Sequence, residues 1–220
     1  ETIDGQLDSL AKRRNQMSAS AGFPNYRDFA HRRKGRFDYT PDDCLAFHDA
    51  IEQEMVPLLR ELHDERQAAL GIESLKPWDT ATDPQGRPPL KPFDEVPQLI
   101  SRTQAIFDQL DGDLAGWFQT MQNLDLLDLA NRKGKAPGGY QCNLPEARLP
   151  FIFMSGVGLQ RDVERVLQEA GHAFHALAAQ GEDLHHYQHA PLEFCEVASM
   201  SMELIGNEHL TEFYSDADAV

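Results

Sequence analysis

The stretch Arg161–Leu177 constrains the fold more than any other part of the chain. Its apolar members Val163, Val166, Leu167, Ala170, Phe174 and Leu177 recur at helical spacing, which demands a helix with one buried face. Gln168, His172 and His175 fall at i, i+4 and i+7, on a stripe beside that face. Gly171 lies mid-helix, where glycine costs about 0.5–1 kcal/mol relative to alanine. The expectation is that another backbone, or a neighbouring strand, comes close to the helix there.

Helical patterning extends over most of the chain. Thr40-Pro41-Asp42-Asp43 is a strong helix start: a hydroxyl cap, proline at the first helical position, then acids against the dipole. That helix is expected to run to Leu70, with a kink at Pro57 and a stop at Gly71. Leu45, Ile51, Met55, Leu58, Leu59 and Leu62 form its apolar stripe. Further helices fit Leu7–Ser20, Pro24–Arg33, Val96–Leu110 and Leu114–Leu129. The strand-like part is small. Gly138–Leu144 and Pro150–Met154 are short candidates bounded by glycine and proline, suited to a hairpin or two edge strands.

Residues 76–97 break the periodicity with a proline-rich run. Trp78 and Phe93 are suited to pin it down, so an ordered crossing loop is expected. The organisation read from the sequence is therefore a helical segment over 1–130, containing that loop, and a chemistry-bearing segment over 131–220. Together they form one continuous domain.

Composition narrows the function. The formal net charge is −16, which repels phosphate backbones and argues against nucleic-acid binding by bulk charge. The longest apolar run, around Leu149–Met154, is too short to span a bilayer. The chain opens Glu1-Thr2-Ile3-Asp4, without a basic and apolar leader and without Met. Cys44, Cys142 and Cys195 have no metal-like spacing and read as reduced thiols of a cytoplasmic protein. Cys142 and Cys195 are expected in the core. The basic clusters Lys12–Arg14 and Arg32–Lys34 read as solvated helix faces, and His185, His186 and His189 as a solvated loop.

The chemistry concentrates in two places. A zinc peptidase helix reads His-Glu-x-x-His, in which two imidazoles at i and i+4 hold one ion and the Glu is the general base. Here Glu169 and His172 occupy the second and last positions, and Gln168 stands where the first His belongs. A second helix, Glu193–Leu204, places Glu196 and Glu203 seven residues apart. A carboxylate from such a helix is what a zinc peptidase needs as third ligand.

Gln168-Glu-Ala-Gly171-His172-Ala-Phe-His175 followed by Glu196-Val-Ala-Ser199-Met-Ser-Met-Glu203 resembles the oligoendopeptidase F and thimet-oligopeptidase family of zinc metallopeptidases. The segments Gly134–Tyr140, Pro150–Met154, Pro77-Trp78-Asp79 and Gly86–Leu90 are similar to that family too. The resemblance implies a mainly α, zincin-like catalytic domain with a small β element beside the catalytic helix. It implies zinc-dependent hydrolysis of peptide bonds in short oligopeptides, with one Zn2+ per chain. Glu169 would be the general base, and His172 and Glu196 metal ligands. Gln168 would hold a substituted ligand position, which weakens zinc. His175 and Glu203 would orient the ligands, and Gly139 and Tyr140 would face substrate. The family continues beyond this length, with His and Tyr residues that stabilise the tetrahedral intermediate, so a C-terminal part of the family chain is an implied partner. The alternative reading is a non-catalytic or impaired peptide-binding remnant of the family.

Overall fold

A computed structural model describes residues 2–215. The chain divides into two compact units, Glu1–Pro88 and Pro89–Val220. The division falls within the proline-rich stretch, and residues 96–130 pack in the same unit as the chemistry-bearing helices.

The first unit is helical: α1 (Ile3–Ser20), α2 (Tyr26–Arg33), α3 (Pro41–Ala50) and α4 (Val56–Leu70). Thr40 caps α3 as its residue type predicts. Its hydroxyl accepts from the Asp43 N–H while the Asp43 carboxylate accepts from the Thr40 N–H, closing a capping box. Between α3 and α4 the backbone widens into a π-helical turn, Ile51–Met55. A π turn in front of Pro57 gives the ring room where its missing N–H would break an α-helical ladder. The expected kink is thus absorbed as a bulge. α4 ends on Gly71 in the left-handed conformation, at φ 65°. The apolar stripe of α3 and α4 departs from expectation. Leu45, Ile51, Met55, Leu58, Leu59 and Leu62 are all exposed among the described residues.

The second unit carries the apolar core. It runs α5 (Val96–Leu110), α6 (Gly112–Asn123), β1 (Leu127–Ala130), β2 (Gly139–Leu144), β3 (Leu149–Gly156), α7 (Gln160–Ala178) and α8 (Leu192–Gly206). The helix expected over Leu114–Leu129 stops at Asn123. Asp125, with φ 54°, turns the chain, and Leu127–Ala130 becomes a strand instead. The sheet order is β1-β3-β2, so β2 is an edge strand. β2 pairs antiparallel with β3 as a hairpin, and β1 pairs with β3 in parallel. Along β3, Pro150, Ile152, Met154 and Gly156 are buried at period two. That face meets α7, whose Val163, Val166, Leu167, Ala170, Ala173 and Phe174 are buried as the periodicity requires. Phe107 of α5 sits at the centre, in edge contact with Phe118 at 5.1 Å and Phe174 at 4.9 Å.

Two polar devices fix the loops around β3. The Asp162 carboxylate accepts the N–H groups of Val157, Gly158 and Leu159 at 2.8–3.0 Å, which sets the entry into α7. The Lys135 ammonium is buried beneath the glycine-rich turn, where it donates to Asp128 and to the carbonyls of Asp128, Ala130 and Met154. Asp128, held also by Arg132, keeps its carboxyl well below the ordinary range, at about 2.

α7 and α8 approach closely at two glycines. A Cβ on Gly171 would meet Ser199 Cα at 2.6 Å and the Ala198 carbonyl at 2.8 Å, and one on Gly206 would meet Leu167 Cδ1 at 2.7 Å. The expectation for Gly171 holds, and the approaching backbone is that of α8. Gly171→Ala should destabilise the protein by about 1–3 kcal/mol, the cost of overpacking. Gly116→Ala, in α6 with nothing within 4 Å, should instead stabilise by about 0.5–1 kcal/mol. Urea denaturation of both variants checks the contrast, and equal shifts would mean that Gly171 is not a packing position.

Candidate active site

The groups with chemistry lie where α7 and α8 meet the β2 edge. α7 carries Gln168, Glu169, His172 and His175, and α8 carries Glu196, Ser199 and Glu203. Their placement follows from the contact at Gly171. Because α8 lies backbone against backbone on α7, Glu196 is brought beside His172, with Nε2 and Oε2 3.8 Å apart. Ser199 Oγ donates to Glu196 Oε2 and to its own helix at the Glu196 carbonyl, both at 3.1 Å. Ser199, fully buried at the closest point of the two helices, therefore orients Glu196. The sequence contained Ser199 inside the motif, but its role depends on a helix crossing that periodicity alone does not specify.

Glu169 is 7% exposed. Burial pushes its carboxyl above the ordinary value. His172, the Gln141 backbone amide and Arg165 oppose that rise, and Glu196 adds to it. The Gln141 amide, on the edge strand, is a contributor without a sequence signature. A buried glutamate with a raised pKa beside a histidine is suited to take and return a proton.

The remaining expected site residues sit further out. His175 borders the same cleft as His172 and Glu196, a space of about 270 Å³ reaching Gln141, Gln188 and Cys195. Glu203 is half-buried on α8. Among the described residues, no hydrogen bond or ion pair joins His175 or Glu203 to Glu169, His172 or Glu196. Gly139 opens β2 against α7, where a Cβ would meet Arg165 Cδ at 2.5 Å. Its glycine is thus explained by packing. Tyr140 is half exposed and stacks on Phe153, at 4.9 Å and 15°. Cys44, Cys142 and Cys195 are free and only partly buried, so Cys142 and Cys195 stand at the margin of the core. Burial raises the Cys195 thiol, which disfavours its reactive thiolate. His185, His186 and His189 are exposed, on and after a 3₁₀ turn.

The donor set can be tested against zinc. Two ligands at about 2.1 Å on a tetrahedral ion stand roughly 3.4 Å apart. The 3.8 Å between His172 and Glu196 is close to that separation. Gln168, one turn before His172 on the same face, offers a neutral amide where zinc favours imidazole. Among the described residues, no group of three or more His, Cys, Asp or Glu side chains is arranged to hold a metal. Two donors fit, and the third position falls short. No described helix is long and apolar enough to cross a membrane.

The profile of peptidase family M3 matches residues 4–219. Among solved structures, the chain is similar to PZ peptidase A, solved with an inhibitor, at 31% identity and a TM-score of 0.90, covering 98% of this chain and 38% of that one. It is similar to a candidate oligoendopeptidase F from Bacillus anthracis str. Ames at 30% identity and a TM-score of 0.90, over 99% of this chain and 40% of that one. Another candidate oligoendopeptidase F matches at 29% identity and a TM-score of 0.90, over 98% and 38% of the two chains. No curated protein matches the chain. The chain spans about two-fifths of the length of these solved structures.

The raised Glu169 carboxyl has a consequence for stability. A carboxyl with a folded pKa above its unfolded value favours the folded state while protonated. Its penalty appears as pH rises through the ordinary glutamate range, about 4.3, and is complete above the raised value. Glu169→Gln keeps the shape and removes the charge. In chelator-treated protein it should therefore raise the melting temperature at pH 7 and leave it nearly unchanged at pH 4. A variant less stable than the parent at pH 7 would contradict the burial argument.

Proposed function

The chain belongs to peptidase family M3, and on that premise we propose that it acts as a zinc-dependent metalloendopeptidase on short oligopeptides. The observation that carries this reading is the convergence of His172, Glu196 and buried Glu169 on one side of the α7–α8 contact. Zinc, when bound, polarises a carbonyl and acidifies a water. His172 and Glu196 are the residues that would hold it, weakly, because Gln168 replaces an imidazole. The protein's own part is more specific. Glu169 accepts a proton from the attacking water and returns it to the leaving amine, a role suited to a carboxyl lifted by burial. Ser199 keeps Glu196 turned toward His172. The edge strand β2 offers an unpaired side along which an extended peptide can add as a strand, beside Glu169.

The restriction to short peptides is carried over from the family resemblance. Three free thiols support a reducing, cytoplasmic setting. The exposed apolar residues Phe194, Val197 and Leu204 of α8 are the face we assign to a C-terminal part of a family chain. Gln168 favours a second reading, in which the site binds peptides without holding metal.

Zinc titration separates the two readings. Gln168→His should raise zinc affinity at least tenfold, about 1.4 kcal/mol. The gain should shrink below about pH 6, where an ordinary imidazole is protonated. With zinc in excess, a fluorogenic peptide should be cleaved, and Glu169→Gln should abolish cleavage while peptide binding persists. Equal zinc affinity of parent and variant would remove Gln168 from the ligand position. Peptide binding without cleavage by the zinc-loaded parent would favour the second reading.

A further inference from the structure

A second cleft lies within the first unit, between Phe23 and Asp42, and the peptidase chemistry makes no use of it. Its volume is about 420 Å³. That is within the range of small-molecule sites, roughly 300–1,000 Å³. Its charge runs against the rest of the protein. The chain carries −16 overall, whereas residues 25–36 hold five basic side chains and one acid. Arg27, Arg32 and Arg36 line the cleft together with His31, and Phe37 and Tyr39 supply aromatic walls.

The cations there are not equivalent. Arg27 is engaged by Asp28 at 2.8 Å and more loosely by Asp42 at 3.8 Å, and both acids also line the cleft. Arg32 forms no ion pair among the described residues. Its guanidinium lies over the Phe37 ring, 4.5 Å from the centroid, which holds the plane in place while leaving its N–H groups open. His31 is 8% exposed, and its Nε2 is buried without a hydrogen-bond partner. Buried polar atoms are nearly always paired, so this one needs an explanation. The ring meets Tyr39 edge-on at 5.0 Å and forms part of the cleft wall.

We propose that this cleft binds a small organic oxyanion, a carboxylate or phosphate carried on a flat apolar body. Arg32 takes the oxyanion through its planar fork, as guanidinium does with both groups. A slight turn of His31 brings Nε2 to a second oxygen. Phe37 and Tyr39 flank the apolar body, which fills the volume an inorganic ion leaves open. The assignment is independent of the peptidase reading and of the metal question.

The test uses the full chain and three probes: inorganic phosphate, phenyl phosphate and benzoate, each titrated by calorimetry at constant ionic strength. Saturable binding of phenyl phosphate or benzoate is expected, at least about tenfold tighter than inorganic phosphate because of the ring. The tighter of the two organic probes identifies the headgroup. Arg32→Met and His31→Phe should each weaken binding about fivefold or more. Arg33→Met, in the same basic run but outside the cleft lining, should leave it unchanged. Arg32 is exposed, so its variant reports on the site even if His31→Phe fails to fold. No saturable binding of any probe would overturn the proposal. So would inorganic phosphate binding as tightly as the ring-bearing probes, or an Arg33→Met loss equal to that of Arg32→Met.

Discussion

The arrangement of the second unit depends on one close contact, the backbone of α8 against α7 at Gly171. An ordinary helix pair lies 8–10 Å apart, spaced by side chains. Here a hydrogen replaces a side chain on α7, and Ser199 Cα and the Ala198 carbonyl fill the space where a Cβ would be. Gly206 repeats the device from the other helix, admitting Leu167. Mid-helix glycine is unfavourable locally, and the burial of two apolar faces offsets it. What the contact secures is geometry. The carboxylate of Glu196 on α8 stands 3.8 Å from the imidazole of His172 on α7, one residue from the close contact. A side chain at 171 would push against the α8 backbone at Ala198 and Ser199, next to the residues that position Glu196.

The same contact sets the electrostatics. Glu169 follows Gln168 on the flank of the buried stripe, so the packing that buries Ala170 and Ala173 also dries its carboxyl. Burial raises its pKa, the Gln141 amide tempers the rise, and Glu196 adds a like charge. The basicity of this group is thus built from the core outward. Asp128 shows the opposite case nearby. It remains partly exposed and is met by Arg132 and Lys135, and its carboxyl stays at about 2. Two carboxylates in one unit are pushed apart by solvation and by partners, and only the dry one is suited to proton transfer.

Much of this was legible in the sequence, and what was not has physical reasons. The buried face of α7, the Thr40 cap, the β2–β3 hairpin and the need for a close neighbour at Gly171 all follow from local periodicity and residue chemistry. The end of α6 did not. Leu124 to Leu129 continue an apolar pattern that suits a helix, and the chain becomes a strand because β3 offers a parallel partner far along the sequence. The stripe of α3 and α4 misled for a related reason. Periodicity reports that a face is apolar, and it is silent on what covers it. In the site, residue types located Glu169, His172 and Glu196, whereas Ser199 and the Gln141 amide act through the fold. A backbone N–H has no sequence signature, and a serine gains its role only from the partner beside it.

Gln168 places an amide one turn before His172, beside the contact that shapes the site. The Ser199–Glu196 bond lies within α8, and the Gly171 contact and the burial of Glu169 are made by packing, so none of them is a bond to the Gln168 amide. The shape of the cleft therefore rests on packing. Its lining joins three histidines, His172, His175 and His189, to the Glu196 carboxylate, with Glu169 buried beside His172. A change at 168 is therefore expected to alter the donor set before it alters the architecture, because the packing that holds His172 beside Glu196 lies at Gly171 and Ser199.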